Sequence, residues 1–167
     1  KLPGLQIGNL KSTLPIVQGG MGVGISLSGL SAAVANEGGI GVIATAMIGM
    51  SEPGLAKDPN TANNNALKKE IREARSKTDG ILGVNIMVAL TNYAEMVQTS
   101  IEEGIDIIFT GAGLPLDLPQ YVQESTHTRL VPIVSSGRAA KVICGRWLSR
   151  YQYLPDAFVV EGPMAGG

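Results

Sequence analysis

Residues Leu14–Gly24 read LPIVQGGMGVG. Leu14, Pro15, Ile16 and Val17 run straight into a turn with glycine at positions 19, 20, 22 and 24. A short apolar run of this kind is the mark of a buried parallel strand. Glycines just past its C-terminal end let backbone approach a flat ligand, because no Cβ stands in the way. Met21 is the one large, polarisable side chain among them. A strand end made of backbone and one thioether suits an aromatic cofactor. The same residues also suit a tight strand-to-helix turn that binds nothing.

Two nucleotide signatures fail here. Gly20, Gly22 and Gly24 are spaced G-x-G-x-G, so the G-x-G-x-x-G register breaks at Ile25. Thr45, Ala46 and Met47 end the next strand where a ribose-binding acid would stand. No G-x-x-x-x-G-K-[ST] occurs, which excludes a P-loop. The chain has 167 residues, 44% of them hydrophobic, with 22 glycines and only 4% aromatics. That composition suits an α/β protein with small residues at tight strand–helix contacts. A net charge of −1 with no basic stripe argues against nucleic acid as a partner. No apolar run reaches the length of a membrane span, and residues 1–13 lack a signal-peptide core. Cys144 is the lone cysteine, which fits a reducing compartment and a cytoplasmic protein. The first residue is Lys1, so the true start is expected upstream.

Six strands are predicted: Leu14–Gln18, Ile40–Ala44, Ile81–Met87, Ile105–Thr110, Leu130–Ser135 and Asp156–Glu161. Their starts lie 26, 41, 24, 25 and 26 residues apart. A strand, a crossover helix and two loops fill about that length. Helical stripes stand between them. Leu27, Leu30 and Val34 mark one, stopped by Gly38-Gly39. Leu67, Ile71 and Ala74 mark another, with Lys69–Glu73 and Glu73–Lys77 pairs on its wet face. Asn92 and Glu95 match a capping box ahead of Tyr93, Val97 and Ile101, with Gly104 as the stop. Ala140, Ile143, Trp147 and Tyr151 line the last. Met47–Asn65 reads as a loop insertion over one end of the sheet.

An open doubly wound sheet and an eight-stranded (β/α)8 TIM barrel both fit repeated βα units. The near-regular unit length, and the polar or glycine-rich residues after every strand, favour the barrel. A barrel needs at least about 200 residues. The expectation is therefore the N-terminal part, residues 1–167, of a single barrel domain with its C-terminal strands missing.

In a barrel, chemistry gathers at the strand C-termini. Asn85 is a lone amide in an apolar strand and offers a donor and an acceptor, or it is a satisfied core amide. Thr110–Pro115 is dominated by backbone. Ser135-Ser136-Gly137 opens a helix, as an anion site or as plain N-caps. Glu161 is an acid at the same face, followed by Ala165, Gly166 and Gly167. His127 precedes the fifth strand and so belongs to the opposite face, as a surface residue. Cys144 lies on the core side of a helix. No His/Cys cluster suggests a metal, and no Ser-His-Asp set can be drawn. Backbone, amides and glycines without a strong nucleophile suit an enzyme whose cofactor carries the chemistry.

PIVQGGMGVG, SGLSAAVANEGGIGVI, VNIMVALTNY, FTGAGLPLDLP, PIVSSGRAAKVI and DAFVVEGPMAGG together resemble the nitronate monooxygenases, once called 2-nitropropane dioxygenases. The resemblance runs from about Leu2 to Gly167. It implies an FMN-dependent TIM-barrel flavoprotein that oxidises alkyl nitronates with dioxygen. It places Gly20, Met21 and Gly22 against the flavin, Asn85 on its polar edge, and Ala165-Gly166-Gly167 beside its reactive face; Glu161, the acid at the same strand ends, is expected beside them as a cofactor-binding residue. No catalytic residue is assigned within the chain, because the family's usual base is a histidine directly after the position of Gly167. The family's phosphate contacts come mostly from strands seven and eight. FMN-dependent, NADH-using enoyl-ACP reductases share several of these motifs, so that activity is the alternative. A non-catalytic βα scaffold is a third. The implied partners are a small-molecule substrate and dioxygen, and a homo-oligomer is compatible.

Overall fold

The computed structural model describes residues 2–122, 127–162 and 164–165. It opens with an antiparallel hairpin, β1 (Leu5–Ile7) and β2 (Leu10–Ser12), that the sequence reading did not predict. Gly8, at φ +57°, leads its two-residue turn with Asn9. Helix α1 (Ser28–Asn36) follows, then β3 (Gly41–Ala44), α2 (Pro59–Lys77), β4 (Leu82–Met87) and α3 (Tyr93–Glu102). The remainder is β5 (Ile107–Gly111), β6 (Arg129–Val134), α4 (Gly137–Tyr151) and the short β7 (Val159–Val160).

Strands β3 to β7 form one parallel sheet in sequence order. The sheet has two apolar faces. Leu82, Val84 and Ile86 of β4 point outward into a cluster with Leu67 and Ile71 of α2, Val97 of α3 and Trp147 of α4. Inward, Ile7 of the hairpin meets Ile40, Val42, Ile107, Phe109 and Val131. One cluster drawing on the hairpin, β3, β5 and β6 requires a curled sheet. The architecture is α/β, an open part of a (β/α)8 barrel, as the strand spacing predicts.

Several local expectations change. Leu14–Gln18 is not a full strand: it touches β3 through a single bridge, Val17 to Ile40. The predicted stripe of α1 is misplaced. Ser28, Ser31, Ala32 and Ala35 are buried there, while Leu30 is 45% exposed. The cause is close packing: a Cβ on Gly41 would collide with the Ser31 carbonyl, so this helix face must be small. The Met47–Asn65 insertion is shorter than expected, because Pro59–Asn65 are helical behind the Asp58 N-cap, which accepts from Thr61 N at 3.1 Å. The capping box does not form. Glu95 instead accepts a hydrogen bond from Asn64 at 3.2 Å. Lys77 pairs with Glu73 at 2.6 Å as expected, but the Nζ of Lys69 lies 3.7 Å from Glu52. Cys144 is half-buried on α4, beside the buried Ile143, rather than in the core. The sixth strand keeps only Val159 and Val160 as ladder residues.

The N-terminal ends of the strands are tied by a repeated device. Asp106 N donates to Leu82 O, and Leu82 N donates back to the Asp106 carboxylate at 2.8 Å. Asp156 repeats this with Leu130, whose N–H donates to its carboxylate at 2.9 Å. Arg75 and Tyr153 complete the two sites, donating to Asp106 at 2.8 Å and to Asp156 at 2.7 Å. Burial and the Asp156 carboxylate hold the Tyr153 hydroxyl well above its ordinary range, so it remains a donor. Removing such an acceptor leaves a buried N–H unpaired, at about 1–3 kcal/mol. Asp106→Ala in the full-length protein is expected to lose about 2–3 kcal/mol by urea unfolding. Asp117→Ala removes an exposed acceptor of Arg146, Arg150 and Tyr151 and is expected to lose under about 1 kcal/mol. Equal losses would refute the distinction.

Candidate active site

The first loop is built to satisfy the free edge of β3. Gly41, Ile43 and Thr45 bond toward β4, so Ile40, Val42 and Ala44 must find partners on the other side. Ile40 N donates to Ile16 O at 2.9 Å, and Gln18 N donates to Ile40 O at 3.0 Å. The backbone then turns away. The Gln18 side chain takes its place in the ladder: Nε2 donates to Val42 O at 3.0 Å, and Val42 N donates to Oε1 at 3.2 Å. Ala44 N donates to Ser26 O at 2.9 Å. This substitution is why the predicted strand collapses to one bridge.

Ser26 closes the loop. It is fully buried, its Oγ accepts from Met21 N at 3.0 Å and donates to Gly19 O at 3.3 Å, and its N–H donates to Met21 O at 2.9 Å. Val23 sits at φ +55°, a costly conformation for a β-branched residue, and its N–H donates to Ala46 O at 3.0 Å. The two loops after Gln18 and β3 therefore lock together.

A cavity of about 370 Å³ opens at the C-terminal ends of the strands, within the range of small-molecule sites. Its lining brings together Gly19, Gly20 and Met21 from the first loop, Asn85 from β4, Glu161 after β7, and Ala165. Val17, Val42, Phe109, Ile133 and Val159 make apolar walls, and Gln18 adds its stem and amide. Met21 is 64% exposed at the mouth. Met21 and Asn85 thus share one cavity although more than 60 positions separate them in the chain.

Gly20 has a specific reason to lack a Cβ. One there would lie 2.6 Å from Asn85 Cβ and 3.0 Å from its Cγ. The glycine makes room for the Asn85 side chain. Thr45 fixes that residue from behind, donating to Asn85 O from both its N–H and its hydroxyl at 3.0 Å. The Asn85 amide is half-buried and makes no hydrogen bond among the described residues. It faces the cavity with a donor and an acceptor free.

Other candidates fall elsewhere. Gly22 does not line the cavity; a Cβ there would meet Ala46 at 2.9 Å. Gly166 and Gly167 lie outside the described residues. Ser136 is an N-cap, accepting from Ala139 N at 3.2 Å, and His127 is exposed ahead of β6. Tyr93 faces the outer side next to Thr110, and burial pushes its hydroxyl up to about 12, so it stays protonated. Sequence reading missed Gln18 and Ser26. Gln18 carried the same signal as Asn85, a lone amide ending an apolar run. Ser26 carried none, since its partners lie in a loop geometry that only the fold creates.

Gln18→Leu deletes two ladder bonds and leaves the Val42 N–H and C=O unpaired, which costs on the order of 2–6 kcal/mol at about 1–3 kcal/mol for each of the two buried groups. Hydrogen exchange in the full-length protein is expected to show lost protection at Val42 and through Gly19–Ser26, with β5 and β6 unchanged. Uniform loss of protection would show that Gln18 has no local role.

The sequence profile of the nitronate monooxygenase family matches residues 5–167. FabK from Thermotoga maritima superposes with a TM-score of 0.68 at 30% identity, over 92% of this chain and 42% of that one. Nitroalkane oxidase from Streptomyces ansochromogenes superposes with a TM-score of 0.72 at 18% identity, over 93% of this chain and 48% of its own; at that identity it speaks for the fold alone. A curated Mycobacterium tuberculosis protein, (3aS,4S,5R,7aS)-5-hydroxy-7a-methyl-1-oxo-octahydro-1H-indene-4-carboxyl-CoA dehydrogenase, is 26% identical over 92% of this chain and 37% of its own length. The chain thus spans less than half the length of these relatives. With a profile match over nearly all its residues, the chain belongs to the nitronate monooxygenase family.

Proposed function

We propose that the intact protein is an FMN-dependent oxidoreductase that oxidises alkyl nitronates with dioxygen, and that this chain is the N-terminal part of its single barrel domain. The observation that carries the reading is the Asn85 amide. It stands half-buried and unpartnered among the described residues, in the same cavity as the Gly19–Met21 backbone. A half-buried amide with no protein partner keeps a donor and an acceptor that water or a ligand completes. A flat heterocycle with donors and acceptors along one edge would do so.

In this reading Gly19, Gly20 and the Met21 thioether hold the ring, and Asn85 orients its polar edge. Val42, Phe109, Ile133 and Val159 keep water from the reacting centre. FMN, when bound, supplies electron-accepting and oxygen-reducing chemistry that no side chain here offers. The described lining holds no cation, so the fit extends to the ring and not to the phosphate. A nitronate has already lost its Cα proton, so none of these residues has to act as a base toward it.

NADH-dependent reduction of an enoyl thioester is the second reading. It is favoured by the higher identity to FabK, 30% against 18% for the nitroalkane oxidase, and by the carboxyl-CoA named for the mycobacterial relative. Full-length protein assayed with propyl-1-nitronate and dioxygen, and separately with an enoyl thioester and NADH, decides the order. Nitronate turnover is expected; enoyl reduction without it would reverse the readings. A colourless protein that takes up no added FMN would refute both.

Asn85→Leu tests the cavity directly. It is expected to weaken FMN binding by about 1–3 kcal/mol while leaving apo-protein stability nearly unchanged or raised. Unchanged FMN affinity with a large loss of apo-protein stability would make Asn85 a structural amide.

A further inference from the structure

Phe109 is the one aromatic side chain among the described residues that line the cavity, and it is only 3% exposed. Its ring does not stand over its own strand. In the ladder Phe109 lies opposite Asn85, and Ile107 lies opposite Gly83. Yet a Cβ on Gly83 would fall 2.7 Å from Phe109 Cε2 and 3.1 Å from its Cδ2. The ring thus leans across to β4, a step toward the N-terminal end from its own ladder partner. Gly83 and Asn85 are two apart on β4 and share a face, so the ring lies below the Asn85 side chain. Gly83 stands in the unbroken ladder of β4 without a positive φ, so backbone conformation does not call for glycine there. The room left by its missing Cβ is what the ring uses. The ring also packs in one buried cluster with Ile7, Ile40, Ile107 and Val131, none of which lines the cavity.

Resting on the flavin reading above, we propose that Phe109 is the floor on which the cofactor ring seats, and that Gly83 is the positioning residue that sets the height of that floor. An aromatic ring offers a flat heterocycle a broad apolar contact. Its height decides whether a ligand resting on it also meets the Asn85 amide, which lines the same cavity. A Cβ at position 83 would lift the Phe109 ring off β4. The buried cluster is close-packed and yields little, so the ring moves toward the cavity. A ligand is then held away from Asn85. A leucine at 109 lacks the Cε2 edge that meets position 83 and can turn aside, so the two positions are coupled.

The test is a double-mutant cycle in the full-length protein. It reads the FMN dissociation constant of the apo-protein, the visible absorption band of the bound flavin, and the urea midpoint of the apo-protein. Gly83→Ala is expected to weaken FMN binding about tenfold or more and to shift the band. In the Phe109→Leu background the same change is expected to cost about threefold or less. Phe109→Leu alone lowers the floor and is expected to weaken FMN binding about threefold or more, with a shifted band. Ile107→Val is the control: it removes apolar volume from the same buried cluster but not from the lining, so it should lower the urea midpoint and leave FMN affinity and band unchanged. If Gly83→Ala does not fold, Phe109→Leu against Ile107→Val decides alone. Wild-type affinity and band in Phe109→Leu, equal FMN losses in Phe109→Leu and Ile107→Val, or a Gly83→Ala loss just as large with leucine at 109, would overturn the proposal. Wild type that binds no FMN would instead sink the flavin reading, and the floor with it.

Discussion

The second edge of β3 is the constraint on which this end of the molecule depends. In a parallel ladder alternate residues bond to opposite neighbours, so Ile40, Val42 and Ala44 are committed away from β4. All three are buried and cannot turn to water. An ordinary neighbouring strand would satisfy them, but it would carry Gly19–Met21 into the sheet and leave no loop to form a wall of the cavity. The chain resolves this piecewise. Backbone from Ile16 and Gln18 serves Ile40, the Gln18 amide serves Val42, and Ser26 serves Ala44. The loop is thereby free to leave the ladder while the N–H and C=O of Ile40 and Val42 and the N–H of Ala44 all keep partners.

From that solution the cavity follows. Once the backbone departs at Gly19, Gly20 passes so close to β4 that no Cβ fits beside Asn85. Ser26 and Ala46 then pin the loop from behind. Asn85 is held by its carbonyl rather than by its amide, through Thr45. Its polar end is left to the cavity, where no described residue meets it. The glycines read at the outset as room for a ligand are thus, at positions 20 and 22, room for the protein's own side chains. The ligand-facing surface is what those contacts leave open.

Much of this was legible in the sequence, for identifiable reasons. Five predicted strands took their places in the sheet because parallel strands buried on both faces need continuous apolar runs. The convergence of Met21, Asn85, Glu161 and Ala165 followed from topology alone, since parallel strands bring their C-terminal ends to one side. The failures share a cause, which is contact with something distant. Apolar periodicity marked Leu30 on α1, but tight packing on Gly41 selects serine and alanine there. Glu95 had the spacing of a cap and found Asn64 on a neighbouring helix. The hairpin was different. Its Gly8-Asn9 turn was a usable local signal, and its strands were too short for alternation to show.

The two ends of the sheet handle polar groups in opposite ways. At the N-terminal end Asp106 and Asp156 each close a two-way exchange with a leucine and add a further donor, so nothing is left for a ligand. At the C-terminal end the half-buried Asn85 amide and the exposed Glu161 carboxylate line a cavity without protein partners among the described residues. Such groups keep hydrogen-bonding capacity that water can occupy until a complementary ligand replaces it. The sheet is therefore tied at its N-terminal end, opposite the cavity. Its unspent hydrogen-bonding capacity is concentrated at the cavity.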